Sequence, residues 1–430
     1  MLVRGRFVKG AAAPAWSDRR NLAEAHRRTL SVLRDRAAPV GVAQLARFLL
    51  DRHRAGDVGA AVRLLSGVQV PQETFERDLL WRRVQPYHPP LLDAACAAGE
   101  VAWTFDGTKL TVVPREELAT WHEPPPAEGL DTDETAVLAT LGSHGAQFGP
   151  ELVERTGLRP AKVYTAVWSL VRRGLATNDA YESLRRALAS DFDPAAAGLE
   201  LDARASVRTL MNRARRTPWV GRFSRLVPDT APVEERAARQ AAILLRRYGV
   251  VGKAVADAEP RALPWALLEE ALARLELRGE VVRGRFVEGL GAYQVAMPDA
   301  VDDLRAERSR EALALINACD PACPYGSLAP DSEGRVARLP SNYLVLRGGA
   351  PLLLIEQFGK RITPLAEAPD EILAAALATL RGLLAVPAHL RGVRAVTVHR
   401  FGDRDAAAAH DLFARAGFSR DADRMVLSAF

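Results

Sequence analysis

Residues 133–179 read DETAVLATLGSHGAQFGPELVERTGLRPAKVYTAVWSLVRRGLATND, and this stretch decides the fold. Its pattern predicts three short helices, over residues 134–141, 150–156 and 160–173. Gly157 can end the second helix, Pro160 suits the first turn of the third, and Gly174 can end it. Three helices followed by a strand predict a winged-helix module.

The third helix of this stretch has two faces. The apolar face is predicted to be core, because its members recur at helical spacing: Val163, Val167, Leu170 and Val171. The opposite face is predicted to look outward, where a recognition helix meets a DNA groove: Lys162, Thr165, Ser169 and Arg172. The alternative is that this helix only packs, as in winged helices that act as protein–protein spacers.

An internal repeat gives a second clue. The segment VRGRFVKG at residues 3–10 recurs as VRGRFVEG at residues 282–289, with one difference in eight positions. The second copy follows a predicted helix over 263–277, which Gly279 can end, and precedes a glycine-rich reversal into a further strand. This order is the back half of a winged helix. The first copy has the wing without the helices, so the chain looks like one piece of a longer protein.

The same order occurs a third time, and the last hundred residues differ. A predicted helix over 91–98 leads into two strands around Asp106-Gly107, a strong hairpin signal. The C-terminal part alternates strands and helices, with two strands around Gly348-Gly349, which is typical of helices on one face of a sheet.

The predicted fold class is therefore α+β and mostly helical, with tandem winged-helix modules followed by a C-terminal mixed α/β domain. The predicted boundaries are 1–70 for a helical N-terminal region after a wing remnant, 71–125 for a winged-helix-like module, 126–200 for a winged helix, 201–235 for a basic linker, 236–310 for a winged helix and 311–430 for a C-terminal α+β domain.

The strongest charge signal lies in the predicted linker. No acidic residue occurs over residues 203–228, and Trp219 and Phe223 lie among its arginines. Guanidinium groups beside aromatic rings suit a phosphate backbone and stacked bases. The alternative is a solvated basic linker whose aromatic residues dock on a neighbouring element. The arginines are Arg204, Arg208, Arg213, Arg215, Arg216, Arg222 and Arg225.

Composition and motifs exclude several classes. The net charge is 58 − 53 = +5, and hydrophobic residues make up 48%, which suits a soluble chain with real cores. The three cysteines cannot form a disulfide framework, and Cys319 and Cys323 lack the further ligands of a zinc site. Neither a signal peptide nor an apolar membrane span is evident, so we expect a cytoplasmic protein without a bound metal.

The sequence also lacks the motifs of common active sites. It contains no G-x4-G-K-[ST] loop, nucleophile elbow or H-E-x-x-H motif, so we expect no ATP hydrolysis and no cofactor. The polar trio Thr177-Asn178-Asp179 is the exception worth following, although Asn-Asp is also ordinary turn chemistry.

Several segments resemble the region that follows the helicase motor in the large helicase-related (Lhr) proteins of bacteria. No single motif is diagnostic, but their shared order extends over about three quarters of the chain. The segments are RGRF at 4–7, residues 16–30, FERDLL at 75–80, and residues 90–103, 170–179, 221–226, 247–250, 283–298 and 320–326.

The resemblance implies winged-helix modules used in DNA repair, with a fold similar to that of tandem winged-helix DNA glycosylases, and some family members are thought to excise uracil. The chain departs from these proteins in two ways. It lacks both helicase motor domains, and it contains no Q-x-Q or Q-x-D, the signature of crosslink-unhooking glycosylases.

We therefore predict a DNA-binding protein of DNA repair, a relative of the Lhr C-terminal region without a motor. Its expected partner is single-stranded or damaged DNA, and a separate helicase and self-association are further candidates. The predicted nucleic-acid-binding residues are Lys162, Arg172, Arg173, Asn178, Arg213, Arg215, Arg216, Trp219, Arg222, Arg283 and Arg285.

Two alternatives remain open at this point. A monofunctional uracil-type DNA glycosylase must flip a base and stabilise a cationic sugar. Asp179 is its candidate catalytic carboxylate, ahead of Asp421 and Asp423. The other alternative is a protein-assembly scaffold, which recognition helices buried against neighbouring elements would support.

Overall fold

The computed structural model describes residues 2–5, 15–18, 20–21, 24, 38–199, 219–306, 310–328 and 336–429. In this part of the chain, three winged helices precede a C-terminal domain of sheets and helices, which confirms the predicted α+β fold class. The described helices include none with the length and apolar composition of a membrane span.

The described N-terminal residues include an antiparallel strand pair and a helix over Val42–Arg52. Strands β1 (Leu2–Gly5) and β2 (Ala15–Asp18) form an antiparallel pair, and the wing remnant expected there stays a prediction. Helix α1 (Val42–Arg52) buries Phe48 and Leu49 in a core that it shares with the third winged helix and the C-terminal sheet.

The first winged helix begins earlier than the sequence predicted. The predicted boundary is residue 71, and the first helix of the module starts at Val58. Helix α2 and strand β3 supply its first helix and an edge strand, so that boundary cuts through the module. Strand β5 lies between β3 and β4 in its sheet. The elements are α2 (Val58–Leu65), β3 (Gln69–Val70), α3 in three consecutive parts (Gln72–Thr74, the π-helical Phe75–Leu80, and Trp81–Arg83), α4 (Pro89–Ala97), β4 (Val101–Phe105) and β5 (Leu110–Pro114).

The second winged helix repeats this order after the short helix α5 (Leu118–Trp121). Its central strand is β8, which pairs with both β6 and β7. The elements are α6 (Thr132–His144), β6 (Gln147–Phe148), α7 (Gly149–Thr156), α8 (Pro160–Arg172), β7 (Ala176–Asn178), the additional helix α9 (Tyr181–Ala189) and β8 (Arg222–Arg225).

The predicted basic linker over 201–235 is wrong where it includes strand β8. Residues 222–225 belong to the second winged helix, because Phe223 is buried and pairs in register with Gln147 and Asn178. Local sequence did not reveal this strand, since its partners lie far away along the chain.

The third winged helix has the same topology and a compact wing. Strand β11 lies between β9 and β10, and Gly279 follows the third helix in the left-handed conformation (φ +74°), as predicted. The elements are α10 (Val233–Tyr248), β9 (Val250–Gly252), α11 (Lys253–Ala258), α12 (Trp265–Leu277), β10 (Val282–Gly284) and β11 (Gln294–Ala296), followed by α13 (Pro298–Arg305).

The C-terminal domain has two sheets and its own apolar core. The larger sheet has the order β12-β13-β14-β15-β17-β18, so β12 is an edge strand, and the smaller has the order β16-β20-β19. The elements are β12 (Leu313–Asn317), β13 (Tyr343–Arg347), β14 (Ala350–Glu356), β15 (Arg361–Pro364), α14 (Asp370–Ala378), β16 (Ala395–Val398), β17 (Arg400–Phe401), β18 (Arg404–Asp405), α15 (His410–Arg415), β19 (Ser419–Asp421) and β20 (Arg424–Ser428).

Helix α3 holds the modules together through buried charges. Its Glu76 is fully buried and accepts hydrogen bonds from Arg185 of α9 at 2.8 and 2.9 Å and from the Tyr87 hydroxyl at 2.6 Å. Its Arg83 forms a two-pronged ion pair with Asp320 at 2.7 and 2.8 Å, just after β12. Buried charges require such partners, so α3 fixes the second winged helix and the C-terminal domain relative to the first.

Candidate nucleic-acid interface

The third helix of each winged helix is the one that enters a DNA groove in proteins of this kind. Helix α8 contains Lys162 and Arg172 and no acid, so its formal charge is +2. In helix α4 the only charged residue is Asp93, so its formal charge is −1. Helix α12 contains three glutamates and Arg274, so its formal charge is −2. Because phosphates attract cations, the second winged helix presents the most suitable recognition helix of the three.

The apolar face of α8 is buried as predicted, and of the four residues predicted to face outward all but Ser169 are exposed. The four apolar residues at helical spacing are buried, together with Tyr164 and Trp168. Lys162, Thr165 and Arg172 are exposed. Lys162 forms an exposed ion pair with Asp133 at 2.9 Å, and the Arg172 guanidinium lies 5.0 Å from the Phe192 ring centroid. Exposed pairs of this kind contribute little to stability, so both cations can exchange their partners for phosphate.

Arg173 and Ser169 lie at the same end of α8 but are used within the module. The Arg173 guanidinium is 3.3 Å from the Glu134 carboxylate and donates to the Gly129 carbonyl at 3.1 Å. The Ser169 hydroxyl donates to the same Glu134, which is buried. These contacts favour a structural role for Arg173, although the sequence placed it among the DNA-binding residues.

The polar trio after α8 fastens the strand that returns as β8. The Asp179 carboxylate accepts from the Arg222 backbone N–H at 2.6 Å and from its Nε at 2.7 Å. Asn178 is buried and donates to the Val220 carbonyl at 3.1 Å, and Thr177 donates to the Trp103 carbonyl in the first winged helix.

Gly221 is required by this arrangement. Its φ is +69°, and a Cβ there would lie about 2.5 Å from the Asn178 side-chain oxygen. Asn178 and Asp179 therefore join the end of β7 to the start of β8 through hydrogen bonds. This geometry favours a structural role for Asn178 and Asp179 over the binding and catalytic roles that the sequence suggested.

The other candidate carboxylates belong to the C-terminal domain and not to the second winged helix. Asp421 and Asp423 lie at the turn between β19 and β20, where Arg424 is 3.7 and 3.9 Å from them. Both are well exposed, which does not suit a carboxylate that must work in a dry site.

Trp219 anchors the end of the basic segment beside α8. Its ring makes edge contacts with Tyr164 of α8 at 5.7 Å and with Phe223 at 6.5 Å between centroids. A Cβ on Gly149 would lie 2.0 Å from the indole, so the ring lies directly on the backbone at the start of α7. These contacts favour a packing role for Trp219, which the sequence placed among the DNA-binding residues.

The remaining predicted cations fall into three groups. Arg222 is half-exposed beside Asp179. Arg283 lies 2.7 Å from Glu276 and 4.5 Å from the Tyr293 ring centroid, and Arg285 is exposed on the third wing. Arg213, Arg215 and Arg216 lie outside the described residues.

Sequence reasoning missed the buried charges of α3. The run FERDLL places three charged residues inside an apolar helix, and Glu76, Arg77 and Asp78 are all buried. That conflict between charge and apolar surroundings is the signal that could have revealed them. Among the described residues, no cluster of histidine, cysteine and carboxylate side chains could hold a metal ion.

Three copies of one helix-and-strand order, one of them with a basic recognition helix, define a tandem winged-helix protein. Residues 40–120 and 230–315 match models of the large helicase-related protein winged-helix domain. The resemblance to the winged-helix region of Lhr proteins is thereby confirmed.

Two curated proteins are similar over most of the chain. The Lhr helicase/probable uracil glycosylase of Mycolicibacterium smegmatis (strain ATCC 700084 / mc(2)155) is 29% identical, covering 97% of this chain and 30% of that protein. The Lhr helicase/uracil glycosylase of Escherichia coli (strain K12) is 27% identical, covering 81% of this chain and 26% of that protein. The chain thus spans less than a third of the length of these relatives.

Among solved structures, the Streptomyces sahachiroi DNA glycosylase AlkZ matches 81% of this chain and 98% of its own, with 15% identity and a TM-score of 0.48.

Proposed function

We propose that this protein binds DNA in DNA repair, through the outward face of α8 and the arginine-rich segment that ends at Trp219. The observation that carries the proposal is the charge contrast among the three recognition helices, of which α8 alone is basic. Backbone contacts of this type bind with little sequence preference and with a strong dependence on salt.

The position of Trp219 supports the second half of the proposal. The indole contacts Tyr164 of α8, so the described end of the arginine-rich stretch lies beside the basic recognition helix. Arg222 and Arg225 of β8 are exposed next to it. Cations from the helix and from the segment would then follow one strand of DNA together.

The experiment is a measurement of affinity against salt concentration. Lys162→Gln with Arg172→Gln should flatten the slope by up to about two units, and Arg213→Gln, Arg215→Gln and Arg216→Gln together by up to about three, since each phosphate contact contributes about 0.9. The matched control is Arg274→Gln with Arg278→Gln, which removes two exposed cations at α12 that pair with glutamates. Slopes unchanged in the first two variants would contradict the proposed interface.

We further propose single-stranded or damaged DNA as the substrate class, with a separate helicase acting before or after this protein. The names of the two relatives also keep uracil excision as an alternative. Incubation with uracil-containing and undamaged single strands, followed by alkali, separates the two: strand breaks on the uracil strand alone would favour the glycosylase, and a band shift without breaks would favour the binder.

A further inference from the structure

A cleft with two chambers lies beside α3 and the C-terminal domain, and no residue of α8 lines it. The first chamber is a cavity of about 430 Å³, and the second is a cavity of about 590 Å³. Both volumes fall in the range of pockets that hold small organic ligands. Arg82 of α3 and two leucines of edge strand β12, Leu313 and Leu315, line both chambers, so the chambers are neighbours that share a wall.

The first chamber has aromatic walls. Its lining includes Trp81 of α3, Tyr343 of β13 and Phe358. Gln357 and Phe358 both adopt the left-handed conformation, with φ of +50° and +57°. Non-glycine residues rarely do so, and two in succession cost free energy that a functional position often explains.

A buried ion pair lines the same chamber. The Arg77 guanidinium is 2.7 Å from the Asp78 carboxylate, and each side chain is less than a tenth exposed. The Tyr343 hydroxyl donates to the other oxygen of Asp78 at 2.9 Å, and Arg77 lies 4.9 Å from the Phe358 ring centroid. A carboxylate has about four acceptor positions, and the Arg77 Nε and the Tyr343 hydroxyl occupy two of those on Asp78.

The second chamber is cationic. Its lining includes Arg47, Arg54, Arg82 and Arg83 against two carboxylates, Asp51 and Asp320, a formal excess of 4 − 2 = +2. Asp320 neutralises Arg83, and Asp51 pairs with the exposed Arg54 at 3.0 Å. The charge excess therefore remains on Arg47 and Arg82, and Arg82 stands between the chambers.

Together the chambers provide what one unpaired nucleotide requires. Aromatic rings stack on the faces of a base, a carboxylate accepts from its ring N–H or exocyclic amine, and arginines hold the adjoining phosphates. We propose that this cleft receives a single base turned out of DNA, with the base beside Asp78 and Phe358 and its phosphate at Arg82. The proposal rests on the proposed DNA binding and adds a second contact region to it.

The test uses the full chain and a duplex with one bulged thymidine, compared with the same duplex carrying a bulged abasic analogue. A seated base should make the thymidine duplex bind about five- to 150-fold more tightly, the range that stacking of one base provides. Trp81→Ala and Phe358→Leu should each reduce this ratio, and Tyr343→Phe should leave the proteins folded while changing the preference among the four bulged bases.

The matched control is Trp265→Ala, because Trp265 is also half-buried and pairs with a tyrosine, but lies in the third winged helix. The control should keep the ratio of the wild-type protein. Equal binding of thymidine and abasic duplexes by the wild type would overturn the cleft proposal and leave the proposed function standing. Failure to bind either duplex would overturn both.

Discussion

In the second winged helix, residues 179–221 separate the two wing strands, whereas in the third only residues 285–293 do. The sheets nevertheless have the same strand order, and both modules use three helices in the same sequence. What differs is charge: α8 carries +2 on its sequence and α12 carries −2. The fold alone therefore does not assign DNA contact to a module. The charge on the surface of its third helix has to be considered as well.

The two modules are alike in how they attach to the first. Each sends one arginine to the first module. Arg185, which is partly exposed, pairs with the buried Glu76, and the fully buried Arg247 pairs with Glu259 of its own module and donates to the carbonyls of Leu64 and Ser66. Both attachments therefore include a buried charged group, although the third helices of the two modules differ in charge.

The largest effect is expected at Arg247, which is fully buried. Arg247→Met should lower the free energy of unfolding by about 3–5 kcal/mol, because Glu259 and two carbonyls would lose their charged donor. Chemical denaturation measures this. The control Lys253→Met removes an exposed pair with Asp257 and should cost less than about 1 kcal/mol. Similar losses in both variants would show that burial of the arginine is not what matters.

The variant Trp219→Ala tests whether the stability of the second module depends on the packing of this indole. Trp219→Ala should cost about 3 kcal/mol of stability, since the ring lies on Gly149 and against two aromatic residues. Single-strand affinity of the folded fraction should change less than about two-fold. Gly149→Ala is the matched variant, because it displaces the ring without removing it. A stable Trp219→Ala protein with lost affinity would instead assign the indole to a stacked base.

His53 makes the attachment of the third module sensitive to acid. Its Nε2 is 3.1 Å from the Arg247 carbonyl, and its Nδ1 is 2.9 Å from the Arg83 guanidinium, which can only donate. The neutral ring therefore donates from Nε2 and accepts at Nδ1. Burial, and then the charge of Arg83, lowers the pKa of His53 to about 3.

Because this folded-state pKa lies below the unfolded value near 6.5, the stabilisation is complete above that pH and is lost as the pH falls towards 3. Between pH 7.5 and 5 the loss should be about 2 kcal/mol. His53→Gln, compared by denaturation at both values, should lose less than the wild type. The control His410→Gln changes an exposed histidine and should retain the full loss. Equal losses in all three proteins would remove His53 as the cause.

Sequence reasoning succeeded where the determinants are local. The three core helices of the second module and the third helix of the third module followed from apolar spacing and from glycines at their ends, and the Gly348-Gly349 hairpin followed from its turn. The first two helices of the third module, α10 and α11, were not predicted. It missed β8, because a strand that pairs with β6 and β7 across a long excursion leaves only one buried residue, Phe223, among arginines. The cleft was also hidden, since Asp78, Tyr343 and Phe358 are distant in sequence and meet only in the folded chain.

The smallest effect is expected on the third wing. Arg283 already pairs with Glu276 and stacks near Tyr293, and the adjoining α12 is acidic, so phosphate would have to displace one carboxylate and approach others. Arg283→Gln with Arg285→Gln should therefore flatten the salt slope of DNA binding by at most about one unit, the share of a single phosphate contact. The same titration on the Arg213, Arg215 and Arg216 variant gives the scale. A loss on the third wing as large as on that variant would show that DNA crosses both modules. The charge difference between α8 and α12 would then not limit DNA contact to the second module.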